Sequence, residues 1–115
     1  MIVNFYDLEH KNEKNCHGGE GTVKVARIYE KFETQMQFFH YTILPPGSSI
    51  GLHKHGDNEE FYVVLEGGGE MNVDGEVQAV RAGAVIKNRP FGTHGLRNIS
   101  ETEDLRILVF EVKRA

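Results

Sequence analysis

The sequence predicts an all-β protein, a sandwich or small barrel of about nine or ten short strands. Three observations carry the prediction. No stretch longer than about ten residues keeps a helical period. Runs rich in β-branched and aromatic residues, such as Thr22–Tyr29, Met36–Leu44 and Leu105–Val112, alternate with turn residues. The chain of 115 residues holds 13 glycines and 3 prolines. About 8 glycines would be expected at roughly 7% average usage, and the excess suits many tight turns. The length is enough for one modest core and too short for two, so residues 1–115 are expected to form a single domain.

Taken in order, Ile2–Tyr6 reads as a short edge strand, and Asp7–Gly21 as a polar loop that ends glycine-rich. That loop lacks the Lys-Ser/Thr of a phosphate loop. Thr22–Tyr29 reads as a strand, and Glu30–Gln35 as a connection. Met36–Leu44 is apolar or aromatic on both faces, so something is expected to cover each face. Pro45-Pro46-Gly47 ends it. Glu60–Glu66 is the next strong strand, with Glu60, Tyr62 and Val64 on one face. Met71–Val73 and Glu76–Val80 flank Asp74-Gly75, a tight hairpin signal. Ala84–Ile86 is a short strand, Asn88–Gly95 is broken by Pro90 and Gly92, and His94–Asn98 is extended. Leu105–Val112 closes the chain, again apolar on both faces.

Composition narrows the function classes. Net charge is −4, and no basic cluster marks a nucleic-acid partner. No apolar run approaches the roughly 20 residues of a membrane span, and the N-terminus does not resemble a signal peptide. A cytoplasmic location is therefore expected. Cys16 is the single cysteine, which excludes an internal disulfide and a thiolate zinc site. The apolar faces of Met36–Leu44 and Leu105–Val112 lead to an expected homodimer.

Chemistry concentrates in His53-Lys54-His55-Gly56-Asp57-Asn58-Glu59-Glu60. Side chains two apart on a strand share a face, so His53 and His55 can converge on one ion from Cα atoms roughly 7 Å apart. Gly56 to Asn58 has turn composition, and the chain is expected to double back there and bring Glu60 to the same ion from a neighbouring strand. Glu59 and Lys54 have the opposite parity. Imidazole and carboxylate together suit first-row divalent ions. A third histidine, His94, follows the turn at Pro90-Phe91-Gly92.

These residues resemble the motifs of the cupin superfamily. Gly47, His53-x-His55, Glu60 and Gly67 match its first motif, over residues 47–67. Gly83, Pro90-x-Gly92, His94 and Asn98 follow its second, over residues 83–98, with Pro90 and Gly92 one place late and the Gly83-to-His94 separation preserved. The resemblance is to small single-domain cupins of the conserved-barrel type. It implies a double-stranded β-helix, or jelly-roll barrel, in which His53, His55, Glu60 and His94 ligate one divalent transition metal: Mn, Fe, Ni, Zn or Cu. Four such ligands leave an octahedral ion two positions for water, oxygen or a bidentate substrate.

Other polar residues have two readings each. His40 faces the cavity as an acid or base, or is a hydrogen-bonded core histidine. Tyr62 lines the cavity beside Glu60 or only packs. His17 and Glu20 close the barrel mouth or are solvated. Arg27 and Arg97 hold an anion or lie on the surface, and His10 is expected at the surface. For function, the resemblance implies a metal-dependent enzyme on a polar, oxygen-rich small molecule: a dioxygenase, an oxalate-like decarboxylase or a sugar isomerase. The alternatives are a non-catalytic barrel for a sugar or anion, and a structural metalloprotein.

Overall fold

A computed structural model describes residues 1–114. Among these described residues, ten strands form two antiparallel sheets that face each other. They are β1 (Lys11–Lys14), β2 (Thr22–Tyr29), β3 (Met36–Leu44), β4 (Ser49–Lys54), β5 (Asn58–Glu66), β6 (Gly68–Val73), β7 (Glu76–Arg81), β8 (Val85–Asn88), β9 (Thr93–Arg97) and β10 (Leu105–Lys113). The six-stranded sheet runs β1-β2-β3-β10-β5-β8, and the four-stranded sheet runs β4-β9-β6-β7. This is the all-β jelly-roll barrel that the sequence predicts. Among the described residues, no helix is long and apolar enough to cross a membrane.

The apolar core fills one end of the barrel. Val23, Leu44, Ile50, Tyr62, Val64, Met71, Ile86, Leu96, Leu105, Ile107 and Val109 interlock between the sheets. Alternation places them there: Val64 and Tyr62 point inward from β5, as do Leu105, Ile107 and Val109 from β10. Continuing along the same faces toward the other end, the inward residue becomes Glu60 on β5 and Glu111 on β10, which are register partners. The polar end of the barrel is therefore built on the same strands as its core.

The N-terminal segment departs from expectation twice. Ile2–Tyr6 does not form a strand. Asn4 accepts from the Tyr6 N–H at 3.0 Å and turns the chain into a 3-10 turn at Phe5–Asp7. That turn lays Phe5 against Tyr41, with ring centroids 4.7 Å apart. The first strand lies instead at Lys11–Lys14, inside the expected loop, where it pairs with β2 from Lys11↔Val25 to Lys14↔Thr22. Its wholly polar sequence suits a sheet edge, where charge discourages pairing with another chain. His10 is also corrected: it is half-buried, edge-on to Tyr41 at 5.2 Å.

The outer face of the six-stranded sheet carries a second cluster. Ala26, Tyr41 and Ile43 are buried there under Phe5 and Leu8 of the same chain. Part of the two-faced apolarity of β3 is thus met within the chain itself. Phe39, Phe110 and Phe61 form a half-buried row across β3, β10 and β5, and the last two rings stack at 5.0 Å.

The hairpin pair Asp74-Gly75 and the motif residue Asn98 have structural work. The Asp74-Gly75 hairpin has positive φ at both positions, 52° and 88°, as its turn requires. Asn98 is 1% exposed, donates to the Leu44 and Glu103 carbonyls at 2.9 and 2.8 Å, and accepts from the Ser100 N–H at 2.9 Å. Asn98→Ala would strand those groups, so it is expected to cost about 2–4 kcal/mol in a denaturant titration. A cost below about 1 kcal/mol would contradict this clamp.

Candidate metal centre

The site sits between the two sheets at the polar end. His53 and His94 are register partners on β4 and β9, with ring centroids 4.3 Å apart. Ile50 and His53 both point inward although three residues apart, because the pairing with β9 slips between them. One extra residue at Gly51–Leu52 bulges the strand, sends Leu52 to solvent and re-aims His53 into the barrel. Glu60 comes from β5, in the other sheet. The expected hairpin from His55 to a neighbouring strand is therefore corrected: the chain crosses between sheets at Gly56–Asp57, and Glu60 faces the histidines across the barrel.

His53, Glu60 and His94 offer ligand atoms that all lie within 4.8 Å of one another. His94 Nε2 and a Glu60 oxygen stand 2.8 Å apart, yet neither nitrogen of His94 makes a hydrogen bond of acceptable geometry. Such a spacing without alignment suits two ligands on one ion. Ligands at right angles with bonds of about 2.1 Å lie ~3.0 Å apart. His55 stands one step out. Its ring centroid is 5.0 Å from that of His94, and it is outside the three-residue set. Its Nε2 is nevertheless buried and without a partner.

The outer nitrogens are already held. His53 Nδ1 donates to the Gly51 carbonyl at 2.8 Å, and His55 Nδ1 donates to Asn58 Oδ1. Each bond fixes the tautomer that leaves Nε2 with a lone pair, as a metal ligand needs. Burial pushes the His53 pKa down, against the Gly51 bond, so the ring is neutral at neutral pH. Burial pushes Glu60 up, but His94, His53 and His55 together hold it below the usual carboxylate range. Neutral imidazoles and an ionised carboxylate are the forms that bind a divalent ion, so the residues present fit the group.

A cavity of about 190 Å³ opens beside Glu60. His17, His40 and Tyr62 line it, with Glu13, Cys16 and Thr42 among its other walls. His17 belongs to a 3-10 turn at Cys16–Gly18, and its ring stacks flat on His53 at 3.7 Å. His40 is half-buried, stacked on Phe38 at 4.6 Å, and so is not enclosed in the core. Burial and then Arg27 lower its pKa. Tyr62 is 2% exposed and edge-on to His94 at 5.4 Å; burial and the Glu60 charge raise its pKa. Arg27 pairs with His40 in register and lines a larger outer groove of about 440 Å³ that shares Glu13, Val25 and His40 with the cavity. Arg97 and Glu20 are on the surface. Glu59 faces away, 3.4 Å from Lys87.

Sequence reasoning missed three neighbours of the ligands. Asn58 orients His55. Asn88 and Glu111 flank Glu60 in register on β8 and β10. Burial, then the Glu60 charge, pushes the Glu111 pKa up to about 7 from an ordinary 4.5. A carboxyl raised on folding contributes stability that is full below about pH 4.5 and is lost as pH rises through about 7. In chelator-treated protein, Glu111→Gln is therefore expected to gain about 1 kcal/mol over the parent at pH 8, discounted for partial exposure, and nothing at pH 4. Equal gains in thermal melts at both pH values would contradict this account.

Comparison with known proteins agrees with this architecture. The family model described as "Cupin domain" matches residues 40–111. An "Oxalate-binding protein" of Thermotoga maritima is 31% identical over 105 residues, covering 90% of this chain and 87% of that protein. A crystal structure of a predicted oxalate decarboxylase from Thermotoga maritima superposes with a TM-score of 0.94 at 30% identity, covering 99% of this chain and 100% of that one. A Cupin 2 conserved barrel domain protein from Salinispora arenicola shares the fold at 18% identity, with a TM-score of 0.73 over 98% of this chain and 87% of that one.

Proposed function

Because this chain belongs to the cupin domain family, we propose that it is a metal-dependent protein acting on a small dicarboxylate of the oxalate class. The proposed ligands of its one divalent transition ion are His53, His55, Glu60 and His94. The observation that carries the reading is the convergence of His53, Glu60 and His94 within 4.8 Å beside a cavity of only about 190 Å³. That space admits an acid of few atoms, and the relative described as an oxalate-binding protein favours the oxalate class. A bound ion would supply Lewis acidity and two positions for the oxygens of a bidentate acid. His17, His40 and Tyr62 are proposed to hold the acid within the cavity.

The proposed reaction is decarboxylation, in which oxalate dianion and one proton give formate and carbon dioxide. The test is formate release from oxalate by protein loaded in turn with Mn, Fe, Ni, Zn or Cu. Formate formation that disappears in His94→Ala supports the reading. Oxalate binding in calorimetry with no formate from any loaded form moves the function to binding without turnover. The name of the relative described as an oxalate-binding protein favours that second reading. No binding and no turnover would remove the oxalate class.

A homodimer through the outer face of the six-stranded sheet is part of the same proposal, supported by the half-buried row Phe39, Phe110 and Phe61. Light scattering at micromolar concentration should give twice the 13.0 kDa chain mass. A monomer would refute it.

A further inference from the structure

Asn88 ends β8 and is 2% exposed. Ile86, two residues earlier on the same face, sits in the core, so Asn88 also points into the barrel. Both its amide oxygen and its amide nitrogen are buried without a hydrogen-bonding partner. A buried orphan of this kind costs about 1–3 kcal/mol, so it needs an explanation. Its place supplies one. Asn88 is the direct register partner of Glu60 on one side, and Glu111 is its partner on the other. Directly opposed residues of antiparallel strands bring their Cβ atoms to about 4.5–5.5 Å, within reach of an amide and a carboxylate. A carboxylate that gives one oxygen to an ion still needs donors for the other in a buried site. The Asn88 amide keeps its protons at every pH.

We propose that Asn88 is a positioning residue of the metal centre: with an ion bound, its Nδ2–H, unpartnered in this structure, would donate to the Glu60 carboxylate and fix that ligand toward the ion. The proposal rests on the reading of His53, His55, Glu60 and His94 as ligands. It predicts an unusual pairing of effects. A residue retained for the fold alone would stabilise the metal-free protein, whereas an orphaned amide serving the ion does not.

The test uses the full chain, stripped with chelator and titrated with Zn²⁺ against a competing dye, with metal-free melting measured alongside. Asn88→Leu, close in shape, and Asn88→Ala are compared with the parent. Both variants should bind Zn²⁺ about 10- to 100-fold more weakly. The metal-free melting temperature of Asn88→Leu should equal or exceed that of the parent, because an unpaired polar group has been replaced by an apolar one. With Cu²⁺, the electron paramagnetic resonance spectrum of both variants should shift from the parent's. Unchanged affinity and spectrum in both variants would overturn the proposal, as would a metal-free Asn88→Leu that melts well below the parent. A parent that takes up no ion would overturn the ligand reading itself, and this proposal with it.

Discussion

Replacing His94 by Ala is expected to weaken divalent-ion binding by about 100- to 1,000-fold while the barrel stays folded. Structural zinc sites bind with roughly 10–16 kcal/mol, so one ligand of four represents about 3–4 kcal/mol. His94 is fully buried, and its Nε2 lies 2.8 Å from the Glu60 carboxylate, which joins the two sheets at this level. The fold should survive because most of the interlocked core, from Val64 to Leu105, lies deeper in the barrel, and His94 meets it at the Tyr62 ring. Dye-competition titration and a metal-free melt separate the outcomes. Parent-like affinity in His94→Ala would deny it a ligand role. Collapse of the metal-free variant would instead favour a structural role for this histidine.

Gly51→Ala is expected to destabilise the protein by about 3 kcal/mol, or a melting-temperature loss of ~10–15 °C for a domain of this size. A Cβ on Gly51 would stand 2.2 Å from the His17 carbonyl oxygen and 2.6 Å from the Gly19 nitrogen. Both are backbone atoms and cannot rotate away. Gly19 is equally tight in return: a Cβ there would stand 2.3 Å from the Ser49 carbonyl oxygen. The two glycines let the Asn15–Gly21 loop lie directly on β4, and that contact presses His17 flat onto His53. The same loop buries Cys16, where desolvation, then Glu13, raises the thiol to about 12. Native Cys16 should therefore resist a thiol reagent at pH 8, and the Gly51→Ala protein should react. A variant that melts like the parent with Cys16 still protected would contradict this packing.

Much of this was readable from residue order, for identifiable reasons. His53, Glu60 and His94 stand in motifs whose spacing is set by turns, and Gly67, Gly83 and Asp74-Gly75 occupy positive-φ positions that only a few residues tolerate. Pro90 and Gly92 sit one place late, yet still make the turn: the Gly92 N–H bonds the Arg89 carbonyl at 3.1 Å, with Phe91 at φ 60°. What stayed hidden depends on tertiary partners. Lys11–Lys14 has no apolar alternation, and only pairing with β2 makes it a strand. Ile2–Tyr6 looks like a strand, but Phe5 finds a better partner in Tyr41. Glu111 had a faint signal, since the inward row Leu105, Ile107, Val109 turns acidic at its last member. Asn88 had none, because a single asparagine before a proline turn reads as loop; its burial beside Glu60 is visible only in the sheet.

The most direct test of the centre is an anomalous difference map from crystals grown with Mn²⁺ or Zn²⁺. The predicted result is one peak per chain, about 2.0–2.2 Å from nitrogens of His53, His55 and His94 and from a Glu60 oxygen. A peak elsewhere, or one at this site that lacks His94 or Glu60 among its ligands, would contradict the account.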